Sequence, residues 1–354
     1  MNGWIGSNRC YGSLFADDEV AASFGTEATL RSMLAFERAL TQALGKVGVT
    51  GHAEAALAAM ETFGPDLDAI ESATLVDGLP APEFVRQLKR HVRESAGEAA
   101  LAVVHVGATS QDLLDTGLAM ALRDVATVLD TRLGALIDDL TGLRGRFGDR
   151  SLMGRTRMQE ALPITTGHRI DAWAAPLPAH RKRLAELLPR VARVQYGGPV
   201  GLRSEPTGAA NEVARLVAAE LGLHDAPCWH TDRSGVVEFG QWLALVTGSL
   251  GKIGQDVALM SQQGVDEIAL SGGGTSSAMA HKRNPVLAEH LVAQARFAAG
   301  LAGTLHQAAI HEQERSGSAW TLEWMTLPLL AETCGAALGH ARLLLGAIER
   351  IGEA

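Results

Sequence analysis

The chain has 354 residues, 47% of them apolar and only 5% aromatic, with a formal net charge of −9. Its length accommodates a large core and more than one domain, while the negative balance argues against a general nucleic-acid binder. No run approaches the ~20 apolar residues of a membrane span, and three scattered cysteines, Cys10, Cys228 and Cys334, suit neither a disulfide framework nor a zinc site. The opening stretch MNGWIGSNRCYGSLFADDE lacks the apolar core of a signal peptide, so a soluble, cytoplasmic protein is expected.

In chain order, residues 1–104 carry short helical patterns (29–47 and 52–63) broken by Gly-Pro and Leu-Pro-Ala-Pro, and read as a small N-terminal helical domain. Residues 105–354 read as a helical bundle. Its clearest segment is 112–147, where Val125, Leu129, Leu133, Leu136, Leu140, Leu143 and Phe147 recur near every 3.5 residues. That period belongs to helices running side by side at a shallow angle, and the seam is expected to build an oligomer. Further long helices are expected over 236–263, 286–306 and 324–351, the last broken near Pro328. Pro176, Pro178, Pro189 and Pro199 mark an irregular zone. No alternating strand pattern of useful length appears, so the fold class is all-α, a bundle of long helices.

Three segments carry chemistry. In SGGGTSSAMAHKRNP (271–285), three glycines give a backbone free to adopt positive φ. Ser276, Ser277, Lys282, Arg283 and Asn284 follow, and Pro285 opens a helical pattern at a first-turn position. A mobile loop bringing a hydroxyl and an ammonium to a helix start suits closure over an anion, proton exchange with carbon, and stabilisation of a carboxylate as charge builds on it. A phosphate-cradling loop is excluded, because His281 stands where a glycine must precede the lysine. In HVGATSQDLLDT (105–116), Thr109 and Ser110 lie at the start of the long helix, where free N–H groups favour anions; an N-cap made by either residue is compatible with that. GRTRMQEALPITTG (154–167) packs Arg155, Arg157 and Gln159 at alternate positions, which an extended backbone would put on one face. A solvated basic loop fits those residues equally well.

Together the three segments resemble the blocks HxGxTSxD, GRTxxQxAxPxT and GSSxMPxKxNP of the fumarase/aspartase superfamily, in the family's order and over essentially the whole chain. Ala280 stands where the family usually has proline, which implies a more flexible loop. HVGATSQDLLDT, ALPITTG, SSAMAHKRNPV and ERSGSAWTLEW (314–324) look most like the bacterial 3-carboxy-cis,cis-muconate cycloisomerases, with adenylosuccinate lyases next. Arg157 occupies the position where superfamily lyases carry a histidine. An arginine cannot shuttle protons near neutral pH, but its fork can hold a carboxylate.

The resemblance implies a cycloisomerase that adds a carboxylate across a C=C bond of a small di- or tricarboxylate, 3-carboxymuconate or its 3-sulfo analogue, without metal or organic cofactor. A fumarate-releasing lyase is the alternative. It implies Ser276, Lys282 and His105 as catalytic residues. Thr109, Ser110, Arg155, Arg157, Gln159, Asn284 and Arg315 would bind substrate, with pairing to Glu314 an equal option for Arg315. It further implies a homotetramer whose sites are shared between subunits. Superfamily relatives continue into a further small C-terminal domain, and 105–354 is expected to lack it.

Overall fold

The computed structural model describes residues 8–279 and 281–353. In order, these form α1 (Arg9–Phe15), α2 (Asp18–Ala22), α3 (Thr26–Lys46), α4 (Ala53–Glu61), α5 (Leu67–Asp77), α6 (Ala81–Ala96) and a 3-10 turn (Glu98–Val103). The long helix α7 (Ser110–Phe147) follows, then β1 (Ser151–Thr156), β2 (Gln159–Thr165), α8 (Thr166–Ala174), α9 (Pro176–Val191), α10 (Ala210–Leu221) and α11 (Ser234–Met260). Last come β3 (Ile268–Leu270), β4 (Gly274–Thr275), β5 (Arg283–Asn284), α12 (Val286–Gln307), α13 (Ser318–Gly346) and β6 (Ile348–Ile351). The fold is all-α, as the periodicity predicts.

Two hydrophobic clusters organise it. The larger joins α7, α8, α9, α11, α12 and α13. Val125, Leu129, Leu133, Leu136 and Leu140 of α7 are fully buried in it, each such side chain contributing ~1.5–3 kcal/mol. The expected oligomer-building role of that seam is therefore corrected: this chain's own helices cover it. Close helix approach is written into α11 at Gly254, where a Cβ would lie 2.6 Å from the carbonyl oxygen of Ala288 on α12. The second cluster gathers α3–α7 with Val194, Tyr196 and α10 residues such as Val213 and Val217. A segment far along the chain thus completes the core of the early helices. Among the described residues, no helix is long and apolar enough to cross a membrane.

Four local expectations are overturned. Residues 151–165 form an antiparallel hairpin, although no strand was expected. The proline zone is mostly helical: Pro176 and Pro178 sit in the first turn of α9 and Pro189 near its end. First-turn N–H groups have no intrahelical acceptor to lose, so proline is tolerated there. Nor does Pro328 break its helix, since α13 runs continuously through it. The final segment ends its helix at Gly346 and turns into β6, which pairs with β3.

Candidate active site

The first motif surrounds the N-terminus of α7. Thr109 is its N-cap, and Asp112 reaches back to accept the Thr109 N–H at 2.9 Å, so the capping alternative holds at Thr109 while Ser110 opens the helix. Asp112 is fully buried and also accepts the N–H groups of Gly197 (2.9 Å) and Gly198 (3.0 Å). His230 Nε2 lies 2.9 Å from its other side. Burial disfavours a charge on His230, but the bond to Asp112 and the neighbouring Cys228 outweigh it, and the pKa is pushed up to about 9. One carboxylate thereby ties the helix cap to the 197–198 turn and to an imidazolium.

His105, just upstream, adopts φ 61°. Its Nδ1 is 2.6 Å from Glu37 Oε1 and its N–H donates to Glu37 Oε2 at 3.0 Å. Glu37 comes from α3 and is fully buried. A carboxylate held on one ring nitrogen fixes the ring's orientation and leaves Nε2 to act. Glu37 was not singled out from sequence; its signal is a lone acid within the buried stripe Met33, Phe36, Leu40 and Leu44.

Beneath this end lies a buried charge network. Arg233 donates to Asp115 (2.7 and 3.0 Å) and to Glu323 (2.8 and 2.6 Å). Burial alone would lower its pKa, yet the two carboxylates raise it further above the ordinary value. Trp320 Nε1 and Gln111 Nε2 also donate to Asp115, at 3.1 and 3.0 Å. Arg315 joins the same network: its Nε donates to Gln111 Oε1 at 2.9 Å and a terminal nitrogen to the Pro199 carbonyl at 3.2 Å. It is held by the first motif rather than by Glu314.

The second and third motifs occupy the other end of the bundle. The expected single extended face for Arg155, Arg157 and Gln159 is corrected: Arg155 lies in β1, Arg157 and Met158 turn the hairpin with φ 49° and 66°, and Gln159 starts β2. Arg155 is paired with Glu267 (2.9 Å) and Glu160 (3.2 Å), which raise its pKa through the Glu267 bond first. Arg157 stands exposed at the tip.

In the serine loop, Gly274 pairs with Asn284 and Thr275 with Arg283, and Ser276 and Lys282 are the next residues beyond that short ladder. Ser276 Oγ accepts the N–H groups of Met279 (3.0 Å) and Ala278 (3.3 Å). Ala280, and with it the expected effect of losing the family's proline, lies outside the described residues. The side chains of Arg157, Gln159, Lys282 and Asn284 have no hydrogen bond or ion pair among the described residues, and all but the half-buried Asn284 are exposed.

Arg155 binds Glu267, the residue before β3, and β3 leads into the serine loop. The second and third motifs therefore share one end. The first motif and Arg315 share the other. The 38 residues of α7 separate them by roughly 57 Å at 1.5 Å per residue. One chain does not bring the two sets together.

An all-helical bundle of long helices with polar loops at both ends is the frame on which the three motifs stand. A protein-family model described as lyase matches residues 15–300, and the chain belongs to that family, of the fumarase/aspartase type. It is 40% identical over 356 residues to the 3-carboxy-cis,cis-muconate cycloisomerase of Pseudomonas aeruginosa, covering 98% of this chain and 76% of that protein. The crystal structure of the 3-carboxy-cis,cis-muconate lactonizing enzyme from Pseudomonas putida superposes with a TM-score of 0.88 at 36% identity, covering 97% of this chain and 77% of that one. The β-carboxy-cis,cis-muconate cycloisomerase from Acinetobacter calcoaceticus gives 0.87 at 32% identity, covering 97% and 78%.

Proposed function

We propose that this protein is a cycloisomerase converting 3-carboxy-cis,cis-muconate, or a close analogue such as 3-sulfomuconate, into its muconolactone in the catabolism of aromatic compounds. The observation that carries the reading is the near full-length likeness to cycloisomerases named for that substrate. The geometry of Ser276 supports it. A carboxylate oxygen of the substrate bonds to one alkene carbon, and the carbon next to another carboxylate receives a proton. Ser276 gives up that proton, and the two N–H groups on its Oγ stabilise the oxyanion left behind. In the reverse direction the same oxygen takes the proton back.

Lys282 and Asn284, flanking Ser276, hold the carboxylate on which enediolate charge builds. Thr109, Ser110, Arg157 and Gln159 bind the remaining acidic groups, and His105, steered by Glu37, orients substrate or relays a proton. Arg155 and Arg315, already engaged within the chain, shape the hairpin and the 199 turn from which they reach the substrate. Because the two sets of residues lie at opposite ends of α7, we infer a homotetramer in which each site combines loops from different copies. Its setting is the cytoplasm.

The test is a parallel assay of 3-carboxymuconate, 3-sulfomuconate, cis,cis-muconate and adenylosuccinate. The reading expects lactone formation from a muconate bearing a third acidic group, and fumarate release from adenylosuccinate as the dominant activity would overturn it. Arg157→Lys keeps the charge but loses the fork, so binding of the tri-acidic substrate should weaken by ~1.5–3 kcal/mol. Equal losses in kcat/KM on substrates with and without the third group would show that Arg157 does not read it.

A further inference from the structure

Cys228 lies against the 197–201 turn and takes no part in the proposed chemistry. Its neighbour His230 is 3% exposed. One ring nitrogen of His230 is committed to Asp112, while Nδ1 is buried with no partner of hydrogen-bond geometry. A Cβ placed on Gly201 would lie 3.2 Å from Cys228 Sγ and 3.7 Å from His230 Nδ1, so the thiol and the unpartnered nitrogen border the same small space. The sulfur also packs directly on Gly197. Of the three thiols, Cys10 is exposed, Cys334 is buried, and Cys228 is intermediate, open enough for a small reagent. A thiol beside a histidine that a buried carboxylate holds is the arrangement that makes a cysteine nucleophilic.

We propose that Cys228 is a redox modification site at which a small hydroperoxide, hydrogen peroxide included, oxidises the thiol to a sulfenic acid with His230 as proton donor. Cys228 gives its thiol proton to solvent water, the sulfur attacks one peroxide oxygen, and an S–O bond forms as the O–O bond breaks. Sulfur loses two electrons, the peroxide gains them, and the departing oxide takes the Nδ1 proton of the imidazolium. His230, still held by Asp112, then regains its proton from solvent.

The consequence reaches the first motif through contact. The sulfur that gains the oxygen packs on Gly197, whose N–H is bound to Asp112 at 2.9 Å, and Asp112 also holds the Thr109 cap. Oxidation therefore loosens the Thr109 end of α7, and a thiol reductant restores it, because a sulfenic acid is reversible.

The experiment treats the native protein with hydrogen peroxide in the presence of dimedone and follows each cysteine peptide by mass spectrometry. Cys228 should be labelled at least ~10-fold faster than the more exposed Cys10, and His230→Gln should remove that advantage. Labelling that follows exposure, with Cys10 first, overturns the proposal even if His230→Gln fails to fold. Undiminished labelling of Cys228 in a folded His230→Gln protein overturns it as well. Peroxide without dimedone should lower the melting temperature of the wild type, dithiothreitol should reverse the change, and Cys228→Ser should be insensitive. An equal drop in Cys228→Ser would place the damage elsewhere. None of these readouts depends on turnover, so they stand apart from the substrate assignment.

Discussion

Ser276 is placed for proton transfer by its own backbone. Two N–H groups converge on its oxygen, whereas Ser277 is exposed and lacks those donors. Ser276→Ala should leave the circular dichroism spectrum unchanged and lower turnover of 3-carboxymuconate by ~10²-fold or more, with Ser277→Ala doing less. Near-normal turnover in Ser276→Ala would remove the assignment.

His230 makes a separate claim on stability. Its pKa is raised from the ordinary 6.5 to about 9, so its contribution is fully present below about 6.5 and is lost as pH rises through about 9. The melting temperature should therefore decline over that window, and His230→Gln should flatten the decline. An unchanged pH profile in the variant would show that another group governs it. Ser276 was legible because its motif is local. Glu37 and His230 were not, since each matters through a partner at the far side of a fold: residue 105 for one, residue 112 for the other.

At the scale of elements, the spans of the long helices were readable from their apolar periods, because burial on one face imposes the pattern. What that face packs against was not readable: the 3.5-residue seam of α7 looks the same whether a neighbouring copy or the chain's own α8, α9 and α13 covers it. The hairpin escaped notice because its residues are nearly all exposed after Leu152, so no alternation of burial reached the sequence. Prolines misled for the opposite reason, since a helix's first turn hides them.

The three elements α7, α11 and α13 are pinned together where Arg233 meets Asp115 and Glu323. Replacing Asp115 with Asn leaves a buried guanidinium half neutralised and also weakens the acceptor of Trp320 and Gln111. Denaturant unfolding should show a loss of ~3–5 kcal/mol, the usual cost of breaking a buried pair from one side. A loss within ~1 kcal/mol, typical of an exposed pair, would mean that water reaches the cluster.

For the whole molecule, the decisive feature is the length of α7. It sets Thr109, Ser110, His105 and Arg315 at one end, and Arg157, Gln159, Ser276, Lys282 and Asn284 at the other. The motifs themselves were visible in sequence, and the helix between the first two was visible as well. Their separation in space follows from reading those facts together: a helix that long keeps its ends apart. The proposed account therefore requires copies of the chain to meet end against end, with closed symmetry giving every site the same composition.

The most direct test is complementation between two inactive variants. Ser276→Ala disables one end and Arg315→Ala the other, and each alone should form inactive assemblies. Mixed in equal amounts, dissociated and reassembled, they should recover about one quarter of wild-type activity, because random assembly gives that share of sites both intact ends. A mixture as inactive as its components, or a fully active monomer by light scattering, would contradict the shared site.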